Sequence, residues 1–253
     1  MEKNPDSYDT APPRKKGGDM PFLEHIEELR WRLIKAVIAV IAAAVVAFIF
    51  AEEIYKFIVY PLGDIKLHFT EITGSFYAYL KIAFYTGILG ASPVVLYQLW
   101  KFIAPGLYSK EKKVILPLVF SSTILFLIGA AFCFYLVLPF AIKFLVGYGA
   151  GEMVPIITVN SYISFTGMMI LAFGLCFQLP VIGYFFGKIG LLSDRAMAKG
   201  RPYAVVIILV VAAVLTPTPD IFTQLLLAVP LYFLYELTIM LIKFTGKKKE
   251  PLT

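Results

Sequence analysis

Charged side chains are scarce in this chain of 253 residues, at 16% of the sequence, while apolar residues make up 59%. A soluble globular domain carries roughly 25% charged residues. The deficit excludes an ordinary soluble fold, because so little charge would leave most of the surface apolar. The composition predicts an all-α, polytopic membrane protein.

Cysteine and histidine are also rare, with two of each. Cys133 and Cys176 lie inside apolar runs, so neither a disulfide framework nor a CxxC metal site is predicted. His25 and His68 fall on opposite sides of the membrane in the topology derived below, so they are not expected to share a metal. The sequence contains no GxxxxGK[ST], HExxH or GxSxG motif. We therefore expect no cofactor and no enzyme activity.

The first 19 residues lack an apolar stretch and hold several Pro, Gly and basic residues. No cleavable signal peptide is predicted there. We expect residues 1–19 to form a flexible cytoplasmic tail. Residues 20–245 are predicted to form a single six-span membrane domain, and residues 246–253 a basic cytoplasmic tail.

Six apolar runs supply the predicted spans, at residues 33–51, 76–104, 114–138, 162–187, 203–215 and 222–242. An amphipathic helix is predicted to precede the first run, and the outer connectors, 52–75 and 139–160, are expected to fold over the outer face. Pro93 should bend the second span. Run five would rise only about 20 Å, and run six reaches Glu236 after about fourteen uncharged positions. These two runs predict a locally thinned membrane.

Basic residues are distributed unevenly along the connectors: 19 of the 23 Lys and Arg fall on alternate connectors or tails. Short loops rich in Lys and Arg stay in the cytoplasm. Both termini are therefore predicted to be cytoplasmic. The net charge of +6 then reflects topology and attraction to anionic lipid head groups, and nucleic acid is not an expected partner.

Several strings together resemble the TatC family, the receptor component of the twin-arginine protein translocase. They are FLEHIEELR at 22–30, SPVVLYQLWKFIAPGLY at 92–108, Glu111, and LTPTPD at 215–220 followed by Gln224. The resemblance covers residues 20 to about 245. The second string is long and idiosyncratic, which makes chance a poor explanation.

The resemblance implies a curved, glove-like bundle of six helices in a bacterial or archaeal cytoplasmic membrane. It implies a receptor that binds the twin-arginine signal peptides of folded cargo proteins. Single-span subunits of the TatB and TatA kinds are expected as partners, together with further copies of the chain itself. Transport would use the proton gradient.

Recognition of paired arginines calls for carboxylates at the cytoplasmic interface, because a guanidinium group pairs bidentately with a carboxylate. By resemblance, Glu28 and Glu111 form this site with Phe102, and Glu24 and Arg30 lie in the same string as Glu28. Glu28, Glu111 and Phe102 each have an ordinary alternative role. Glu28 could pair with Arg32 four residues on, Glu111 could be neutralised by its neighbouring lysines, and Phe102 could be an interfacial anchor.

A second set of residues is predicted to bind partners or to serve as structural polar or kinking positions: Gln178, Asp220, Gln224, Glu236 and Pro93. Many relatives carry Glu where this chain has Gln178, and a Gln cannot carry a proton. Its alternative role is an interhelical hydrogen bond. Asp220 could cap the sixth span. Glu236 has Lys243 nearby along the chain, and structural pairing is an open alternative for it.

A secondary transporter is the main competing interpretation, because kinked spans with polar groups often line substrate paths. Against it, few charges fall at the middle of the predicted spans, and no convincing repeat relates the first three to the last three. Substitution of Glu28 or Glu111 distinguishes the two. It should abolish signal-peptide binding and leave small-solute flux unchanged if the chain is a receptor.

Overall fold

The computed structural model describes residues 22–63, 65–107, 115–147, 156–215 and 221–245. Both predicted tails, 1–19 and 246–253, lie outside the described residues, as do Glu111 and Asp220. The described chain is almost wholly helical, which confirms the predicted fold class. Its helices are α1 Phe22–Ile49, α2 Ala51–Val59, α3 Gly74–Leu107, α4 Ile115–Phe132, α5 Leu138–Gly147, α6 Val159–Cys176, α7 Leu179–Lys188, α8 Asp194–Lys199, α9 Arg201–Leu215 and α10 Ile221–Thr245.

Five helical stretches in the described residues are long and apolar enough to cross a membrane, at Glu24–Ile49, Gly74–Ile103, Ile115–Gly147, Val159–Lys188 and Ile221–Phe244. They correspond to predicted runs one, two, three, four and six. Run five corresponds to α9, which has only 15 residues. The expectation that run six is also short was wrong for the helix as a whole, because α10 has 25 residues.

Helix α3 continues past Pro93 for its full 34 residues. A proline cannot donate a hydrogen bond to the carbonyl four residues back, which here is that of Leu89. The Ser92 hydroxyl donates to that carbonyl instead, at 2.7 Å. The backbone acceptor left free by Pro93 is therefore satisfied inside the helix.

The third run does not end at Leu138 as predicted. A π-helical turn, Cys133–Val137, joins α4 to α5, and the helix continues to Gly147. Within this turn the Leu138 N–H bonds to the carbonyl of Cys133, five residues back. The wider turn lies directly before Pro139, whose ring would clash with the fourth preceding carbonyl in a regular α-helix. The proline therefore alters the helix without ending it.

The fourth run is interrupted near its middle. Helix α6 ends at Cys176 and α7 begins at Leu179, with Pro180 in the first turn of α7. Proline suits a first helical turn, where its missing N–H would have no intrahelical partner. Gln178 therefore lies at the junction of the two halves.

The two predicted outer connectors meet each other. Strand β1, Leu67–His68, pairs in parallel with β2, Ile157–Thr158. The Tyr162 hydroxyl donates to the carbonyl of Ile58 at 2.7 Å, so α2 is fixed to the outer end of α6. The largest hydrophobic core cluster includes residues at this end and in the middle of the bundle, and a smaller one surrounds Trp100.

Candidate functional site

The start of α1 contacts the end of α3 at the basic end of the bundle. The rings of His25 and Phe102 stack, with centroids 4.4 Å apart and an angle of 12° between their planes. This contact joins the amphipathic segment before the first span to the C-terminal end of the second. Two of the strings that resemble the TatC family are thereby brought together on one surface.

Glu28 lies one turn after His25 and is half-buried. The Arg32 Nε donates to Glu28 Oε1 at 2.9 Å, and Arg32 Nη2 contacts the same oxygen. His25 Nδ1 lies 3.9 Å from the other carboxylate oxygen, Oε2. The alternative interpretation of Glu28, pairing with Arg32, is confirmed. Its role in signal binding stays a prediction.

The other acidic residues of this segment are accessible. Glu24, Glu27 and Arg30 are exposed, and none of the three forms an ion pair with another residue that the structure describes. Phe102 is half-buried beneath the His25 ring. The surface therefore combines the ion-paired carboxylate of Glu28, the exposed carboxylates of Glu24 and Glu27, and the aromatic ring of Phe102.

Trp100 and Ser122 form a polar contact that the sequence analysis missed. The Trp100 Nε1 donates to Ser122 Oγ at 2.7 Å, and both side chains are buried. A Trp N–H inside an apolar helix needs an acceptor. The need for an acceptor could be predicted from the sequence. Which of the several hydroxyls of the third run would be that acceptor, here Ser122, could not.

Gln178 joins the same polar contact from the other side. Its Nε2 donates to the carbonyls of Ser122 at 3.0 Å and Gly174 at 3.4 Å, and the side chain is only 6% exposed. The interhelical hydrogen bond that was the alternative role for Gln178 is therefore present. Helices α3, α4 and α6 are connected through Ser122.

Glu236 forms an ion pair, the structural alternative that was left open for it. Instead of Lys243, its partner is Arg201, whose Nε and Nη2 donate to the two carboxylate oxygens at 2.7 and 2.8 Å. The Tyr232 hydroxyl also donates to Glu236 Oε1, at 3.0 Å. Lys243 lies two helical turns further along α10, whereas Arg201 begins α9 beside it. The ion pair therefore fastens the start of α9 to α10.

Gln224 lies near the other end of the same helix pair. Its Nε2 donates to the carbonyl of Leu209 at 2.9 Å. This interhelical bond, like that of Arg201 with Glu236, connects α9 to α10. The pair is therefore fixed at two levels.

These features define a polytopic α-helical membrane protein with a carboxylate-bearing surface at its basic end. The family model described as "Sec-independent protein translocase protein (TatC)" matches residues 24–230, which lie within the predicted membrane domain. The chain belongs to the TatC family, and is a component of Sec-independent protein transport.

The similarity extends over nearly the whole chain. A Sec-independent protein translocase protein TatC from Aquifex aeolicus is 38% identical over 239 residues, which cover 92% of this chain and 99% of that relative. A relative of the same name from Helicobacter pylori is 42% identical over 222 residues, covering 88% and 87%. A crystal structure of the twin-arginine translocase receptor TatC superimposes with a TM-score of 0.80 at 38% identity, covering 87% of this chain and 99% of that one.

Proposed function

We propose that this chain is the receptor subunit of a twin-arginine translocase, with both termini in the cytoplasm of a bacterial or archaeal cell. It binds the twin-arginine signal peptides of folded cargo through Glu28 and Glu111. It recruits single-span TatB-like and TatA-like subunits and further copies of itself, and the proton gradient drives export. The observation that carries the proposal is the stacking of His25 on Phe102, which holds Glu28 beside the end of α3. Only three residues of chain, 108–110, lie between Leu107, where α3 ends, and Glu111.

The ion pair between Glu28 and Arg32 is compatible with signal binding. An ion pair between residues four apart on a helix contributes only about 0.3–0.5 kcal/mol. An incoming arginine that bonds bidentately to the carboxylate offers a comparable or better partner than Arg32. In this mechanism the signal's guanidinium group replaces that of Arg32, and the second arginine of the pair bonds to Glu111.

The apolar segment of the signal would follow α3 towards the middle of the bundle. Tyr85 lies 17 residues before Phe102, about 26 Å along α3 and about 100° around its axis. At that level the structure has an apolar groove of about 490 Å³. It is lined by residues of α2, α3, α4, the π-helical turn and α6, including Phe57, Tyr85, Leu89, Phe134 and Ile170. An apolar helix docked on α3 could reach this groove.

The central experiment measures binding of a twin-arginine peptide to the purified chain carrying Glu28→Gln. The neutral side chain keeps its size but loses the charge-assisted bond, so we expect affinity to fall at least tenfold. Glu27→Gln is the matched control, since Glu27 is exposed on the same helix turn. A peptide with paired lysines should bind weakly to every variant. Undiminished binding of the arginine peptide to the Glu28 variant would overturn the proposal.

Glu111 provides an independent test of the same site. If both carboxylates bind the arginine pair, Glu111→Gln should weaken binding on its own, and the double variant should bind no better than either single one. A crosslinker placed beside the arginine pair should attach to the segment around His25. Crosslinking confined to the outer end would contradict the proposed orientation.

Partner recruitment is proposed to involve Gln178, Gln224, Glu236, Asp220 and the part of α3 around Pro93. Gln178 gives the sharpest test, because it already has a structural role: its Nε2 donates hydrogen bonds to the carbonyls of Ser122 and Gly174. We expect Gln178→Leu to reduce copurification of single-span subunits. Normal assembly and transport in that variant would remove Gln178 from the partner site and leave it a structural role alone.

A further inference from the structure

A second groove, of about 420 Å³, opens at the basic end of the bundle and is not used by the proposed signal site. It lies between α4, α7 and α10. Its lining residues are Pro117, Leu118, Ser121 and Leu125 of α4, Pro180, Val181, Tyr184 and Lys188 of α7, and Leu241 of α10. The volume falls within the range of about 300–1,000 Å³ that is typical of small-molecule sites.

The groove has an apolar floor and a polar mouth. The residues contributed by α4 and α7 follow the same helical spacing, so each set lies on one face of its helix. Leu118, Pro180 and Val181 are buried and form the floor. Lys188 is exposed at the last turn of α7, eight residues and about 12 Å from Pro180. The groove therefore runs from the membrane interface into the hydrocarbon region.

The floor alone cannot select a ligand from the membrane. Lipid tails are as apolar as leucine, so an acyl chain gains little by exchanging the bilayer for this groove. Selection must come from the polar groups at the mouth. Within the described residues Lys188 forms no ion pair, and the Tyr184 hydroxyl forms no hydrogen bond. One cation and one donor are thus available at the height of the lipid head groups.

We propose that this groove binds one acyl chain of an anionic phospholipid, whose phosphate is held by Lys188 and receives a hydrogen bond from Tyr184. The surrounding charge favours this ligand. Lys199 and Arg195 are exposed on the adjacent α8, and the charge of Glu236 on α10 is compensated by Arg201. Basic pockets between helices on the cytoplasmic side are suited to anionic head groups.

The test uses the full chain in vesicles that contain phosphatidylglycerol or phosphatidylcholine with a photoreactive group near the end of one acyl chain. Labelled positions are identified by peptide mass spectrometry. We expect phosphatidylglycerol to label the groove around Leu125 and Pro180 more strongly than phosphatidylcholine. Lys188→Gln should lower phosphatidylglycerol labelling about fivefold, the effect of one basic residue near an anionic surface, and Lys188→Arg should retain it.

Two further variants separate the groove from general surface charge. Lys199→Gln removes a cation from the same end but not from the groove, and should leave labelling unchanged. Ser121→Trp fills the groove from an exposed position and should block labelling by both lipids. Equal labelling by the two lipids in the unaltered chain, or an equal loss in the Lys199 and Lys188 variants, overturns the proposal. So does displacement of lipid by a single-span subunit that crosslinks to Ser121.

Discussion

At the scale of single residues, some polar side chains buried within the bundle form hydrogen bonds between helices. Ser122 is the centre of one such set: its hydroxyl accepts from Trp100 and its carbonyl accepts from Gln178. All three side chains are buried. In hydrocarbon an unpaired N–H is costly, so the loss of one acceptor should affect the stability of the whole bundle.

We predict that Ser122→Ala lowers the free energy of unfolding by about 1–2 kcal/mol, because it leaves the Trp100 N–H without its acceptor. Ser121→Ala is the matched control, since Ser121 is the exposed neighbour on the same helix and its removal should cost under about 0.5 kcal/mol. Denaturant titration in detergent, followed by circular dichroism, measures both. Equal effects of the two substitutions would show that the Trp100 bond contributes nothing.

The polar contacts of Glu28, Trp100 and Glu236 differ in how far the sequence could predict them. Glu28 and Arg32 are four residues apart on one helix, so their pairing follows from helical spacing. Trp100 and Ser122 lie on different helices, and their meeting depends on how deeply α3 and α4 are inserted relative to each other. Structural pairing of Glu236 was an open alternative, but only Lys243 is near it along the chain, whereas its partner, Arg201, is 35 residues away.

At the scale of helices, close packing between α1 and α3 depends on a single glycine. A Cβ atom added at Gly87 would lie 2.7 Å from both the Cα and the Cβ of Ala44. Backbone atoms cannot yield as a flexible side chain can, so the helices would have to separate. Gly90, one turn later on α3, would place its Cβ 4.0 Å from Ala43, an ordinary contact.

We therefore predict opposite effects of the same substitution at these two positions. Gly87→Ala should destabilise the bundle by about 1–3 kcal/mol through overpacking. Gly90→Ala should be neutral or should stabilise it by up to about 1 kcal/mol, because alanine favours the helix. Thermal unfolding of the two variants in the same detergent provides the comparison. A stabilising effect at Gly87 would mean that α1 is free to move away from α3.

The ends of the helices were harder to predict than their existence. Apolar runs located every long helix, because a stretch of such residues must lie in hydrocarbon. The end of run three was placed at Pro139, but the π-helical turn before it lets the helix continue to Gly147. At Pro93 a neighbouring serine satisfies the freed carbonyl. Proline thus signals a local adjustment, and tertiary context decides whether the helix ends.

The ion pair between Arg201 and Glu236 gives a second prediction at this scale. Arg201→Gln and Glu236→Gln should each loosen α9 from α10 and lower the melting temperature. The double variant should be no less stable than the worse single one, since neither charge is then left alone. Lys199→Gln, one turn away on α8, serves as the control for a general loss of positive charge. Additive losses in the double variant would indicate that the two residues act independently.

At the scale of the whole molecule, the two ends of the bundle are built differently. The outer connectors pair as β1 with β2, and α2 is bound to α6 through Tyr162. The basic end carries the exposed acidic surface of α1 and the groove at Lys188. The alternation of basic connectors predicted this polarity. The pairing of the outer connectors could not be predicted, because strands of two residues leave no readable pattern.

The lengths of α9 and α10 carry the last prediction, that the membrane is thinner beside them. The Arg201–Glu236 ion pair lies at the start of α9 and nine residues before the end of α10. The uncharged stretch of α9 runs over 14 residues from Pro202 to Leu215, and that of α10 over 15 residues from Ile221 to Tyr235, so the two are about 21 and 22 Å long. A typical hydrocarbon core is about 30 Å thick. Lipid must compress or water must enter to match this difference.

Spin labels at exposed positions on α9, α10 and the longer α1 measure this difference in membrane thickness directly. Labels at Val206 and Val229 would report on α9 and α10, five and seven residues from the Arg201–Glu236 pair, and a label at Ile41, six residues after Lys35, on the longer α1. All three side chains are exposed to the surroundings. Accessibility to oxygen and to a polar relaxation agent gives the depth of each label. We expect the labels on α9 and α10 to lie closer to water than labels at equal distances from the basic end of α1. A common depth profile on all three helices would show that the bilayer keeps its full thickness and that α9 is accommodated by tilt of its neighbours instead.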